Sequence, residues 1–181
     1  GCENKINDMR RMNGERIERE CAMIASRAES AASMKRREVL LRARVGLIDR
    51  AYTNAEEYIC SLPEEDYVSF LSHLLSDAVN SRLDEAAELA EHYGEEADCN
   101  FEVIFNSADR EKLSERVLGR SAELLGKRGK DISVSVAEET ADIRGGLILR
   151  YGDIETNCSV KAVISSLRAD TESEVVKVLF S

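Results

Sequence analysis

The chain has 181 residues, enough for one domain with an extension or for two small ones. Its 43% hydrophobic content permits a core, and 5% aromatics with no tryptophan make that core lean. The formal charge of -10 is uneven: residues 1–60 carry 12 Lys+Arg against 10 Asp+Glu, and residues 61–181 carry 13 against 25. So acidic a second part excludes nucleic acid and anionic membrane as its partners, because lysine and arginine supply most of that binding.

The opening Gly1, in place of Met, is read as the remnant of a cleaved tag. From Glu3 to Cys60 there is no proline, and the only glycines are Gly14 and Gly46. Two series step by eleven residues: Ile6, Ile17, Ala28 and Val39, then Cys21, Ala32 and Ala43. Ile24, Ala25 and Ala31 lie between them at helical spacing. The pattern predicts one helix on the order of 85 Å long, at about 1.5 Å per residue. Each glycine costs about 1 kcal/mol relative to alanine, and Gly46 is a candidate bend. A narrow stripe on a helix of this length buries nothing alone, so a partner helix is expected along it. An eleven-residue period means about 3.67 residues per turn and favours a right-handed supercoil. The seam residues are Ile6, Ile17, Cys21, Ile24, Ala28, Ala32, Val39 and Ala43. Pairs such as Glu15–Arg19 and Glu38–Arg42 suit a solvated helix.

Ser61-Leu-Pro-Glu64 is the first break, and Pro63 is the only proline. Ser61 and Glu64 have capping-box spacing, so a second helix is expected here, with Glu65 and Asp66 in its first turn. Its apolar face is Tyr67, Phe70, Leu71, Leu74, Leu75 and Ala78. Leu83, Ala86, Ala87 and Ala90 continue it past a possible break at Asn80-Ser81, and Gly94 ends it. Phe101–Phe105 reads as a strand. Asn106 or Ser107 caps a helix with Leu113, Val117, Leu124 and Leu125, closed at Gly126 or Gly129. Ile132–Val136 alternates at period two. Leu147–Leu149 and Ile154–Thr156 flank a hairpin turn at Tyr151-Gly-Asp153. Ser159 caps a final helix with Val160, Val163, Ile164, Leu167, Val175 and Val178. The expected class is α+β: a long amino-terminal coiled-coil helix over residues 1–62, then a small mixed head over residues 63–181, ordered helix-strand-helix-strand-strand-helix.

Candidate chemistry is sparse. Cys2, Cys21, Cys60, Cys99 and Cys158 lie far apart, which suits unbridged thiols in a reducing cytoplasm. His73 and His92 are the only histidines, and His73 reads as a helix-surface residue. Gly145-Gly146 lacks the spacing of a phosphate loop and precedes a strand, so a close backbone approach is expected there. Glu138, Glu139 and Asp142 lack the spacing of a calcium loop and read as a solvated segment. No cofactor is expected. No run is apolar enough to insert into a membrane.

Gly145-Gly-Leu-Ile-Leu149, Gly152-Asp-Ile-Glu-Thr-Asn157 and a last helix from Ser159-Val160 to Leu179-Phe180 resemble the E subunit of V-type and archaeal-type ATP synthases. Leu62-Pro63 before Tyr67, Asp109 near the start of the third helix, and the long first helix fit the same family. The resemblance implies a non-catalytic peripheral-stalk protein, lying in the cytoplasm at the membrane as part of a membrane-bound complex. It implies pairing with a small helical stalk protein, the G or H subunit. It also implies a head that grips the nucleotide-binding subunits, and an indirect link to the membrane stator subunit. Two other readings share the same layout. One is a homodimeric coiled-coil regulator with a ligand-binding head, and the other is a stator-like regulator of a flagellar or secretion export ATPase.

Overall fold

The structure, a computed structural model, describes residues 2–93, 99–126 and 132–181. Gly94 and Gly129, expected as helix ends, and the side chains of Ala90 and His92 lie outside the described residues. Helix α1 spans Cys2–Cys60, and neither Gly14 nor Gly46 interrupts it. Then follow α2 (Glu64–Tyr93), β1 (Asn100–Ile104), α3 (Ser107–Leu125), β2 (Ser133–Val136), β3 (Gly146–Tyr151), β4 (Ile154–Ser159) and α4 (Val160–Phe180). The class is α+β, with a long amino-terminal helix before a small mixed unit. All four segments read as strands are strands, one more than the element order given above.

The chain packs as two compact units, Gly1–Asp49 and Arg50–Ser181. In the second, the sheet order is β2-β1-β3-β4. β1 and β2 are parallel and joined through α3, while β3 runs antiparallel to both β1 and β4. Alternation decides the faces. Phe101 and Val103 are buried, whereas Asn100 and Glu102 are exposed. Leu147 and Leu149 of β3 join them, and the wide stripe of α2 (Val68, Leu71, Leu75, Val79 and Leu83) covers that face together with Leu113 and Val117 of α3. Each such side chain contributes about 1.5–3 kcal/mol on burial.

Three local expectations meet their geometry. Asn106 caps α3, its side chain accepting from the Asp109 N–H. Ser159 caps α4, accepting from the Ala162 N–H. Gly152, with φ +55°, opens the two-residue turn between β3 and β4, where a positive φ favours glycine. Two differ. α2 runs through Asn80-Ser81 without a break, because buried Val79 and Leu83 hold its stripe in register. Ser61 forms no capping box: its hydroxyl turns back to donate to the Tyr58 carbonyl, within the last turn of α1. The Pro63 carbonyl accepts the first bond of α2, from the Tyr67 N–H.

Candidate interaction surfaces

Tyr67, Asp109, Gly145 and Gly146, four of the residues that carry the family resemblance, converge at one junction. Tyr67 of α2 donates through Oη to Asp109 Oδ2 of α3 at 3.0 Å and accepts from the Gly146 N–H of β3 at 3.0 Å. Asn106 Nδ2 donates to the same carboxylate oxygen at 2.8 Å. The two glycines make this approach possible. A Cβ on Gly145 would stand 2.6 Å from Tyr67 Oη and 2.8 Å from Cys60 Sγ. Gly146 has φ +92°, and a Cβ there would stand 2.6 Å from the Cys158 carbonyl oxygen. The Gly145 carbonyl accepts from the Val160 N–H, which brings the start of α4 to the same place.

Burial governs the electrostatics of this junction. Burial pushes the Tyr67 hydroxyl far above its ordinary range, against the lowering effect of the Gly146 N–H. Burial also raises the Asp109 carboxyl, partly offset by the bonds from Tyr67 and Asn106. The Cys60 thiol is likewise pushed up by burial, with Arg144 pulling the other way. A phenol held protonated, with its donor and acceptor sites both engaged, fastens α2, α3 and β3 together. It offers neither an activated nucleophile nor a poised base.

The end of α1 is tied to the same unit. Tyr52 Oη lies 2.9 Å from Thr171 Oγ1 of α4, and the Arg168 guanidinium stands 5.2 Å from the Tyr52 ring centroid. Arg144 pairs with Glu57 at 3.3 Å.

Other candidates resolve plainly. His73 is exposed, its Nδ1 2.8 Å from the Ser69 carbonyl. None of the five cysteines is in a disulfide. Among the described residues, no group of three or more His, Cys, Asp or Glu side chains could hold a metal ion. Glu139, from the acidic segment, pairs with Arg150. Arg150 also meets Glu102 at 3.1 Å and Glu155 at 2.7 Å. Sequence reading missed this cluster. Its signal is the strand register, which sets Glu102 and Glu155 opposite Arg150 on either side. Among the described residues, no helix is long and apolar enough to cross a membrane.

All eight seam residues, Ile6, Ile17, Cys21, Ile24, Ala28, Ala32, Val39 and Ala43, are exposed on α1. Ile6, Ile17, Ile24 and Val39 each show more than half of their surface.

Together these features define a long helix and a braced α+β unit. The chain belongs to the ATP synthase (E/31 kDa) subunit family, whose pattern matches residues 3–180. It is 32% identical to the E subunit of a V-type ATP synthase from Acetivibrio thermocellus, over 66% of this chain and 52% of the relative. It is 29% identical to the E subunit of a V-type proton ATPase from Thermoanaerobacter pseudethanolicus, over 77% and 62%. The E subunit of a V-type proton ATPase from Clostridium botulinum is 31% identical over 87% and 70%. The chain thus spans from half to about two thirds of the length of these relatives.

Proposed function

We propose that the chain acts as the E-type peripheral-stalk protein of a V-type or archaeal-type rotary ATPase, a non-catalytic part that holds the catalytic headpiece against rotor torque. The arm, residues 1–62, pairs along the seam with a small helical stalk protein, the G or H subunit. The head, residues 63–181, binds the nucleotide-binding subunits. The membrane stator subunit is reached only indirectly, so the chain lies in the cytoplasm at the membrane without entering it. Family membership supports this reading over the homodimeric regulator and the export-ATPase regulator.

The observation that carries the proposal is the exposed seam. Ile6, Ile17 and Val39 recur at eleven-residue multiples along a helix that leaves them uncovered. Only a helix following the same right-handed path keeps contact with a row of that period. The test is co-purification from native membranes of the chain and of seam variants. Ile17→Asp and Val39→Asp place a charge where it would be desolvated, and they abolish capture of the helical partner. Arg27→Asp, beside the seam, retains it. Equal loss in all three variants, or loss in none, overturns the seam.

A further inference from the structure

α1 carries a second apolar row that the seam does not use. Met12, Met23, Met34 and Val45 also stand eleven residues apart. Their exposures run from 45 to 72%. This row begins six residues after Ile6. At about 98° per residue, the angle of an eleven-residue repeat, it lies about 130° around the helix from the seam. The two rows are therefore separate faces. Methionine, unbranched and polarizable, suits a contact that adapts to its neighbour.

The charges beside this row identify its occupant. Four residues beyond each apolar position, on one flank, stand Arg16, Arg27, Glu38 and Asp49, with Lys5 beginning the series. The flank reads positive for three positions and negative for two. Four residues before, on the other flank, stand Asp8, Arg19, Ser30 and Leu41. In an antiparallel pair of identical helices each flank meets itself reversed, and in a parallel pair it meets the opposite flank. Flanking charges of this kind set partner choice and orientation. Antiparallel, Arg16 faces the partner's Glu38 and Lys5 faces the partner's Asp49, each twice by symmetry. Arg27 meets its own copy near the two-fold axis, one like-charged contact set against those opposite-charged ones. Parallel, Lys5 faces the partner's Asp8, but Arg16 faces the partner's Arg19 and Glu38 faces the partner's Leu41, so one like-charged contact cancels the one opposite-charged contact.

We infer that the methionine row is a self-association surface, covered by a second copy of this chain running antiparallel. Met23 packs on Met34 of the partner subunit, and Met12 packs on Val45 of the partner subunit. The contact is isologous, so one self-complementary strip serves both copies. Within each chain, Arg16 also pairs with Glu20 at 3.2 Å, and Glu38 pairs with Lys35 at 2.9 Å and Arg42 at 2.7 Å. These pairs are exposed and local, each contributing little, so they do not hold the flank back from an opposing helix. The surface lies apart from the seam, and its test needs no partner of another kind.

The experiment is sedimentation of the full chain across a concentration series. The wild type forms a dimer. Met23→Lys sediments as a monomer, while Ile17→Lys, on the other face, still dimerises. Arg16→Glu alone and Glu38→Arg alone each weaken the dimer about tenfold or more, since each sets two like-charged contacts across the symmetric pair. The double variant Arg16→Glu with Glu38→Arg recovers the dimer, which a merely misfolded helix would not do. A chain that stays monomeric at every concentration overturns the inference. So does a dimer that Met23→Lys leaves intact, or a double swap that fails to restore association.

Discussion

Tyr67 Oη donates to Asp109 Oδ2 at 3.0 Å, a part-buried link between the second helix and the third beside the exposed pairs of Arg116 with Glu64 and Glu65. Because Tyr67 also receives the Gly146 N–H, Tyr67→Phe strands that N–H and takes from Asp109 Oδ2 one of its two donors, Asn106 being the other. A stranded buried group costs about 1–3 kcal/mol. Urea unfolding followed by circular dichroism should show a loss of that size with the fold retained. Retention of full stability would mean that water replaces the phenol at no cost.

The same carboxyl sets a pH dependence. Asp109 is held above the ordinary aspartate range, chiefly by burial. The native state therefore holds the proton more tightly than the unfolded chain does. Its contribution is fully present below the unfolded value and is lost as pH rises through the higher folded value. In Asp109→Asn this decline should vanish. The readout is the difference in unfolding free energy between wild type and variant across the acid range. A difference that does not change with pH would contradict the assignment.

The glycine pair should be unequal under substitution. Gly145→Ala meets two side chains, Tyr67 and Cys60, and needs no positive φ. Gly146→Ala meets backbone at 2.6 Å and carries φ +92°, a conformation that strains any L side chain by about 1–3 kcal/mol. Thermal unfolding should rank Gly146→Ala as the more damaging change. Neither variant should alter nucleotide binding, because calorimetry with ATP should give no saturable heat even for the wild type.

Arg150 gathers Glu102, Glu139 and Glu155 around one guanidinium. Arg150→Met leaves three carboxylates close together with nothing between them. Added salt screens their repulsion, so the variant should gain stability with ionic strength while the wild type changes little. A wild type and a variant with the same salt response would show that the cluster is electrostatically idle.

The end of α1 should matter to the rest. A fragment of residues 50–181 keeps the contacts of Tyr52 with Thr171 and of Glu57 with Arg144. A fragment of residues 63–181 loses both. Each should unfold cooperatively with mixed circular dichroism, the shorter at lower urea. If the shorter fragment is molten, the last turns of α1 are part of its fold rather than an addition to it.

What the sequence made legible follows from local chemistry. Absence of breakers marked α1. Side-chain caps marked Asn106 and Ser159, and a lone glycine marked the turn at Gly152. What it hid depended on pairs distant along the chain. Arg150 acquires its carboxylates only through strand register. Ser61 had two places to send one hydroxyl, the helix behind it or the helix ahead. The choice rests on Pro63, whose carbonyl starts α2 and leaves Ser61 in the turn that closes α1. Tyr67, Asp109 and the glycines could be matched to a family pattern one by one. That they touch is a fact of folding, as the separation of 79 positions between Tyr67 and Gly146 makes plain.

Cys21 turns the seam into a chemical reporter. It is exposed in the row of Ala32 and Ala43, while Cys158 is buried with its thiol pushed up by that burial. Since the thiolate is the reacting form, an alkylating reagent reaches Cys21 quickly and Cys158 slowly in the uncovered chain. A helix laid over the seam slows Cys21, and also Cys2, which stands two eleven-residue steps before Ile24, while Cys158 is unaffected. Mass spectrometry of the alkylated peptides then follows the covering of the arm in a crude extract, with no residue changed.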